Sequence, residues 1–156
     1  FKKVTVPYSI VRFHNIYGPR MGFEHVIPEF CKRIHENENP FPIFGGAETR
    51  AFCFIDDAVQ GTISVMECKE CNGEVIHIGN SMEEIKIIEL AKKVIEFSNS
   101  NIEILVKEAP LGSVMRRCPN ISKLEKLTNY EPKVDLDQGL KHTIEWYLNI
   151  YKTMVV

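Results

Sequence analysis

The sequence lacks the features that mark membrane-spanning, secreted and nucleic-acid-binding proteins. No apolar run approaches the ~20 residues of a membrane-spanning helix, and the opening FKKVTVPYSIV, broken by Pro7, does not have the form of a secretory signal. No run of five like charges occurs and the formal net charge is -2. We therefore expect neither a nucleic acid nor a membrane as a partner. The first residue is Phe rather than Met, which we interpret as a sign of a fragment.

The cysteines are spread unevenly along the chain. The five cysteines are an odd number in a chain of 156 residues, a pattern that predicts reduced thiols and a cytoplasmic location. Cys68 and Cys71 have the spacing of a redox pair or half a zinc site. However, no second CxxC and no Hx₃₋₅H follows them. We interpret them as two thiols at the end of a helix, with a redox or zinc role as the alternative.

Segments with helical periodicity alternate with short β-forming segments, which predicts the α/β class. The predicted helices cover 25–36, 57–68, 85–97, 121–127 and 136–151, and the predicted strands cover 8–13, 49–55, 74–80 and 102–106. In the second helix we expect Val59, Ile63 and Met66 to face the core and Asp56 or Asp57 to cap the N-terminus. Asp135 or Asp137 is expected to cap the last helix.

Polar residues at the end of the first strand give the first sign of a site. Arg12, His14 and Asn15 lie within RFHNIYGPR, and the carboxyl ends of strands are where open α/β sheets bind ligands. Three further segments follow in order: IFGGAETRAFCFIDDAVQG, EVIHIGN and NISKLEKLTNYEPKVDLDQGLKHTIEWY. Together the four resemble the C-terminal half of extended short-chain dehydrogenase/reductases that act on nucleotide sugars, namely NAD-dependent epimerases, dehydratases and decarboxylases. The GDP-mannose 3,5-epimerase and UDP-glucuronate decarboxylase branches are the most similar.

The resemblance covers about residues 5–150 and implies a division of the chain. Residues 1–20 and about 45–80 would be the late elements of a Rossmann-like NAD-binding fold. Residues of about 21–44 and 81–152 would form a small α/β lobe that binds the nucleotide sugar. The family also has a GxxGxxG loop for NAD and a catalytic YxxxK pair, and neither pattern occurs here. The resemblance therefore implies that NAD, or NADP, is bound mainly by a missing N-terminal half and that this chain alone is inactive.

Arginines are the candidates for the diphosphate of the substrate. Arg50 matches the arginine of the family's TRDF pattern, and a planar guanidinium can meet two phosphate oxygens at once. Arg116 and Arg117 form a second basic pair, and the family's register favours Arg117, with Asn120 replacing the usual Asp. The alternative for each arginine is a solvated surface position.

Three other residues complete the predicted site. Asn15 matches the family's asparagine that hydrogen-bonds the sugar or diphosphate; the alternative is a turn-capping role. Phe44 matches an aromatic that stacks on the base, and core packing is its alternative. His14 stands where an aromatic usually walls the nicotinamide, and a packed histidine bonded to backbone is the alternative.

The resemblance implies the substrate-binding half of an NAD-dependent nucleotide-sugar epimerase, dehydratase or decarboxylase. Its partners would be a nucleotide-diphosphate sugar and, in the full-length enzyme, a second copy in a homodimer. The alternative from another class is a non-catalytic nucleotide-binding or interaction module derived from such an enzyme.

Overall fold

The computed structural model describes residues 6–153, in which short strands alternate with five α-helices. The strands are β1 (Ile10–Phe13), β2 (Ile16–Tyr17), β3 (Phe41–Phe44), β4 (Thr49–Ala51), β5 (Cys53–Phe54), β6 (Val75–Ile78), β7 (Glu84–Lys86), β8 (Ile104–Lys107) and β9 (Arg116–Arg117). The helices are α1 (Val26–His35), α2 (Ile55–Glu67), α3 (Ile87–Phe97), α4 (Ser122–Thr128) and α5 (Leu136–Thr153), with a 3₁₀ turn at Lys69–Cys71. The mixed α/β class predicted from periodicity is confirmed.

Strand pairing is mostly parallel. β1 pairs with β6, β2 with β5 and β3 with β8, all parallel, whereas β4 lies between antiparallel β7 and parallel β9. Parallel neighbours bring the carboxyl ends of two strands to the same edge. The ends of β1 and β6, which carry His14 and Asn80, therefore meet.

Two hydrophobic cores hold these elements together. The larger core is built by α1, α3 and α5 around β3, with Tyr17, Phe52 and Phe54 at its border. The smaller core packs β6 and α2 against α4, around Cys53, Cys71 and Tyr130. Tyr17 belongs to the larger core, and its hydroxyl donates to the Leu136 carbonyl at 3.3 Å. The division into a Rossmann-like part and a substrate lobe stays a prediction.

Three local predictions differ from the structure. The segment 49–55 is two short strands separated at Phe52, because Phe52, Cys53 and Phe54 are all buried and do not alternate between a core face and a solvent face. The segment 85–97 opens as β7, and its helix begins only at Ile87. Helix α2 begins at Ile55, without a side-chain cap.

The predicted inward face of α2 is also wrong within this chain. Val59 is 50% exposed, Ile63 38% and Met66 76%, whereas Ala58, Gly61 and Val65 are buried. Asp57 is 5% exposed, and its carboxylate accepts the backbone N–H groups of Lys133 and Val134. It therefore holds the loop before α5 rather than capping its own helix. Asp135 does cap α5, since its Oδ1 accepts the Gln138 N–H at 2.8 Å.

Candidate functional site

Strand β4 brings the two predicted phosphate-binding arginines together. In the sheet register Arg50 lies directly opposite Arg117 of β9, and directly opposite Ile85 of β7 on its other side. Side chains at directly paired positions project from the same face of a sheet. Burial first, and the positive charge of Arg117 second, lower the pKa of Arg50, while Glu48 opposes them. A partly buried cation beside an exposed one forms a place that an anion would stabilise.

Arg116 lies on the opposite face. Successive residues of a strand point to opposite sides, and Arg116 is paired in register with Thr49 rather than with Arg50. Its guanidinium holds Glu84 at 2.8 Å from Nε to Oε1 and 2.7 Å from Nη2 to Oε2. This bidentate pair, joined by the Thr49 hydroxyl, lowers the pKa of Glu84 and raises that of Arg116. Arg116 thus binds Glu84 on one face of the sheet, whereas Arg117 lies beside Arg50 on the other.

Asn15 links the end of β1 to β4. It adopts a left-handed backbone conformation, with φ of 43°, at the point where the chain leaves the β1–β6 pair and enters the β2–β5 pair. Its side-chain Nδ2 donates to the Ala51 carbonyl at 2.8 Å, and its backbone carbonyl accepts from Cys53. Among the residues that the structure describes, the amide keeps an acceptor and a second N–H for other partners. Its hydrogen-bond partner, Ala51, is the residue next to Arg50 in β4.

Phe44 ends β3 with an exposed ring. The side chain is 57% exposed, so the core-packing alternative is wrong. Its register partner Lys107 places Nζ 5.5 Å from the ring centroid. Gly45 and Gly46 follow with φ of 84° and 100°, and a Cβ at Gly45 would collide with the Glu48 carboxylate. The glycines are required by this tight loop, which joins the aromatic ring to β4.

His14 makes a contact that the sequence did not predict. Its Nε2 lies 2.5 Å from Nδ1 of His77, with the ring centroids 4.8 Å apart and the planes inclined by 25°. One nitrogen must carry a proton and the other a lone pair. Burial, then His77 and then Arg12 lower the pKa of His14. The sequence feature that could have indicated this contact is a histidine near the carboxyl end of each of two strands that pair in parallel. The register of the two strands could not be derived from either strand's sequence alone.

We expect the His14–His77 contact to make the chain less stable in acid. Because folding lowers the pKa of His14, the unfolded chain binds the proton more readily. The free energy of unfolding is therefore at its full value above the ordinary histidine pKa of about 6.5. It decreases as the pH drops below that value, by no more than about 1.4 kcal/mol per pH unit for one proton. Urea unfolding of the wild type and His14→Phe from pH 8 to 5 measures this, with His25→Gln as an exposed-histidine control. An equally steep decline in His14→Phe would contradict the assignment.

A cleft of about 690 Å³ lies beside β7 and the start of α5. Its walls carry both charges, including Glu83, Asp135, Lys93 and Lys141. Ile85 lines it and is also the register partner of Arg50. Lys107, Glu84 and His77 are the site residues that sequence reasoning missed, and all three became visible only through strand register. No helix among residues 6–153 is both long and apolar enough to cross a membrane.

The chain is similar to known proteins at the level of family, sequence and structure. The model of the NAD dependent epimerase/dehydratase family matches residues 2–79. UDP-N-acetyl-alpha-D-glucosaminuronate decarboxylase of Bacillus cytotoxicus is 35% identical over an alignment of 154 residues, and the match covers 93% of this chain and 47% of that protein. UDP-glucuronic acid decarboxylase 3 of Arabidopsis thaliana is 37% identical over an alignment of 137 residues, and the match covers 86% of this chain and 39% of that protein.

A solved structure shows the same arrangement of elements. UDP-glucuronic acid 4-epimerase of Bacillus cereus, in complex with UDP-glucuronic acid and NAD, superposes with a TM-score of 0.84 at 30% identity. The match covers 94% of this chain and 46% of that enzyme. The chain thus spans less than half the length of each of these three relatives.

Proposed function

Because the chain belongs to the NAD dependent epimerase/dehydratase family, we propose that it is the nucleotide-sugar-binding half of an epimerase, dehydratase or decarboxylase. The observation that carries the proposal is the pairing of Arg50 with Arg117 on one face of the β4 sheet. A companion dinucleotide-binding half, joined to this one in a single chain or supplied separately, would hold NAD or NADP and the catalytic Tyr and Lys. Homodimerisation of the complete enzyme and a cytoplasmic location remain predictions.

The diphosphate is assigned to the two arginines. A phosphate oxygen that binds both guanidinium groups would offset the repulsion between them. It would also give the partly buried Arg50 guanidinium a hydrogen-bond partner in place of excluded water. Charge-assisted hydrogen bonds of this kind contribute about 1.5–3 kcal/mol each. The Bacillus cereus relative binds UDP-glucuronic acid, a ligand with the diphosphate that this pair would recognise.

The base and the sugar are assigned to the two ends of the same site. The exposed Phe44 ring offers an apolar face for a planar base, and Lys107 beside it adds positive charge. Asn15 is fixed by Ala51 at the other end of β4 and would hydrogen-bond the sugar or its phosphate. His14 adjoins Asn15 and would form part of the nicotinamide wall. Arg116, committed to Glu84, is a weaker candidate for substrate contact than Arg117.

The tyrosines of the chain support placing the catalytic pair elsewhere. A catalytic tyrosine needs a pKa near the working pH, but burial raises the pKa of Tyr147 and Tyr151 to about 12 and that of Tyr17 and Tyr130 higher still. Tyr8, which is exposed, is followed four residues later by Arg12 and not by Lys.

An apolar groove between the end of β1, β2 and α2 is assigned to the companion half. Phe13, Ile16, Val59 and Ile63 line this groove of about 340 Å³, together with Ile55, Ala58 and Thr62. Phe13 is 54% exposed although it ends a parallel strand, and parallel strands are normally covered on both faces. The relatives are about twice as long as this chain, so a companion of similar size is available in them to cover the groove.

We expect no turnover from the purified chain. NAD-dependent conversion of UDP-glucuronic acid, followed by product chromatography with the Arg117→Ala variant as a contaminant control, should give no product above that control. Conversion by the wild type alone would contradict the proposal. Adding a separately expressed dinucleotide-binding half from a relative should restore NAD-linked product formation if the chain is an enzyme half. Binding of UDP-glucuronic acid without any restored turnover would favour the non-catalytic nucleotide-binding module.

A further inference from the structure

We propose that Cys68 and Cys71 are a redox pair that closes a reversible disulfide by exchange with a small-molecule disulfide. The inference is separate from nucleotide-sugar binding, because the pair lies after α2, at the other end of β1 and β6 from Asn15 and His14. It also changes the interpretation of CKEC as two unrelated thiols, for reasons that the backbone supplies.

The backbone brings the two cysteines to the separation that a disulfide needs. Cys68 directly follows α2 in an extended conformation, and the next three residues form a 3₁₀ turn. The Cys71 N–H donates to the Cys68 carbonyl at 3.2 Å. Such a hydrogen-bonded turn holds its first and fourth Cα atoms within about 7 Å, and disulfides span about 4.4–6.8 Å between Cα atoms.

The two thiols differ in access. Cys68 is partly exposed, whereas Cys71 is fully buried in the smaller core. Burial first, and the neighbouring Cys68 thiol second, raise the pKa of Cys71 to about 12, with Glu70 and Glu74 adding to the effect. Cys71 alone would be inert, so the reaction has to begin at Cys68.

The exchange is balanced with a disulfide RSSR as the oxidant. The Cys68 thiolate attacks one sulfur of RSSR, an S–S bond forms between Cys68 and that sulfur, and RS⁻ leaves. The Cys71 thiolate then attacks the Cys68 sulfur, the mixed disulfide breaks, and a second RS⁻ leaves. Two electrons pass from the protein to RSSR, and the two protons of the cysteines end on two RSH molecules. Once Cys68 is in the mixed disulfide it no longer raises the pKa of Cys71, which assists the second step.

The loop that contains the pair is tied to the start of β1. The Ser9 hydroxyl donates to the Cys71 carbonyl at 2.7 Å, and the Gly73 N–H donates to the Tyr8 carbonyl at 2.7 Å. A disulfide there would stiffen the attachment of β1 to the loop. A zinc role has no support, because no group of three or more potential ligands lies together within residues 6–153 and zinc sites use three or four protein ligands.

The test is oxidation of the full chain by glutathione disulfide at pH 8.5, followed by alkylation and peptide mass spectrometry. The wild-type peptide with Cys68 and Cys71 should lose two hydrogen masses, resist alkylation and regain alkylation after reduction. Cys71→Ala should instead accumulate glutathione on Cys68, because the resolving thiol is gone. Cys118→Ser, which changes another partly exposed thiol, should behave as the wild type does.

Two outcomes would overturn the proposal. The first is a wild-type chain that carries stable glutathione on Cys68, as Cys71→Ala is expected to do. The second is a wild-type chain whose Cys68 and Cys71 both stay reduced while an unstructured CKEC peptide is oxidised in the same solution. Both judgements use the wild-type protein, so they hold even if Cys71→Ala fails to fold.

Discussion

Arg117→Ala should weaken the binding of UDP-glucuronic acid by about tenfold or more. The loss of one charge-assisted contact to phosphate costs about 1.5–3 kcal/mol, and about 1.4 kcal/mol corresponds to a factor of ten in Kd. Arg50→Ala should have an effect of the same size, since the two residues are direct register partners. Isothermal titration calorimetry on the chain, or on a complete enzyme that contains it, measures the change.

Arg116→Ala is the matched control. It removes the same charge from the adjacent position, but from the face that Glu84 occupies. We expect a change in Kd of less than threefold. The Kd of Arg117→Ala should also depend less on salt concentration than the Kd of Arg116→Ala, because only Arg117→Ala removes a direct contact with the phosphates, which salt screens. Equal losses from Arg116→Ala and Arg117→Ala would mean that general positive charge, and not this pair, attracts the ligand.

Sequence patterns predicted the elements better than their partners. The period of α2 correctly marks an apolar face at Val59, Ile63 and Met66, but periodicity does not say what covers that face. Within this chain the helix buries Ala58, Gly61 and Val65 instead, because small residues let it approach β6 closely; Gly61 would bring a Cβ to 3.3 Å from Ile78. Val59 and Ile63 of that face line the groove that we assign to the companion half.

The site shows the same division between what motifs can and cannot predict. The family resemblance pointed to Arg117 rather than Arg116, and the strand register gives an independent physical reason, since only Arg117 lies opposite Arg50. His77 and Glu84 were not predicted because each is linked to the site only through a side chain more than 30 residues away in the sequence, His14 for the first and Arg116 for the second. Such pairs depend on the register of strands, which local sequence does not specify.

The largest structural effect is expected at the edge of β1 that faces away from β6, which no strand within residues 6–153 pairs with. Ile10 and His14 donate their backbone N–H groups to Glu74 and Ile78 on the β6 side. In a parallel strand the intervening residues direct their N–H groups the other way, so Val11 and Phe13 direct theirs away from β6. An apolar strand with open hydrogen-bonding groups favours pairing with another chain. We therefore expect the chain to self-associate when no companion half is present.

Sedimentation velocity over a concentration series, combined with residue-resolved amide hydrogen exchange, tests this expectation. At low concentration the Val11 and Phe13 amides should exchange much faster than those of Ile10 and His14, and the difference should shrink as the chain associates. Ile63→Lys, which places a charge in the apolar groove, should weaken association. Met82→Lys, at a residue that is 85% exposed and outside the groove, should leave it unchanged. A strictly monomeric chain whose Val11 and Phe13 amides are as protected as their neighbours would mean that β1 needs no further cover, and the assignment of this edge to a companion half would fail.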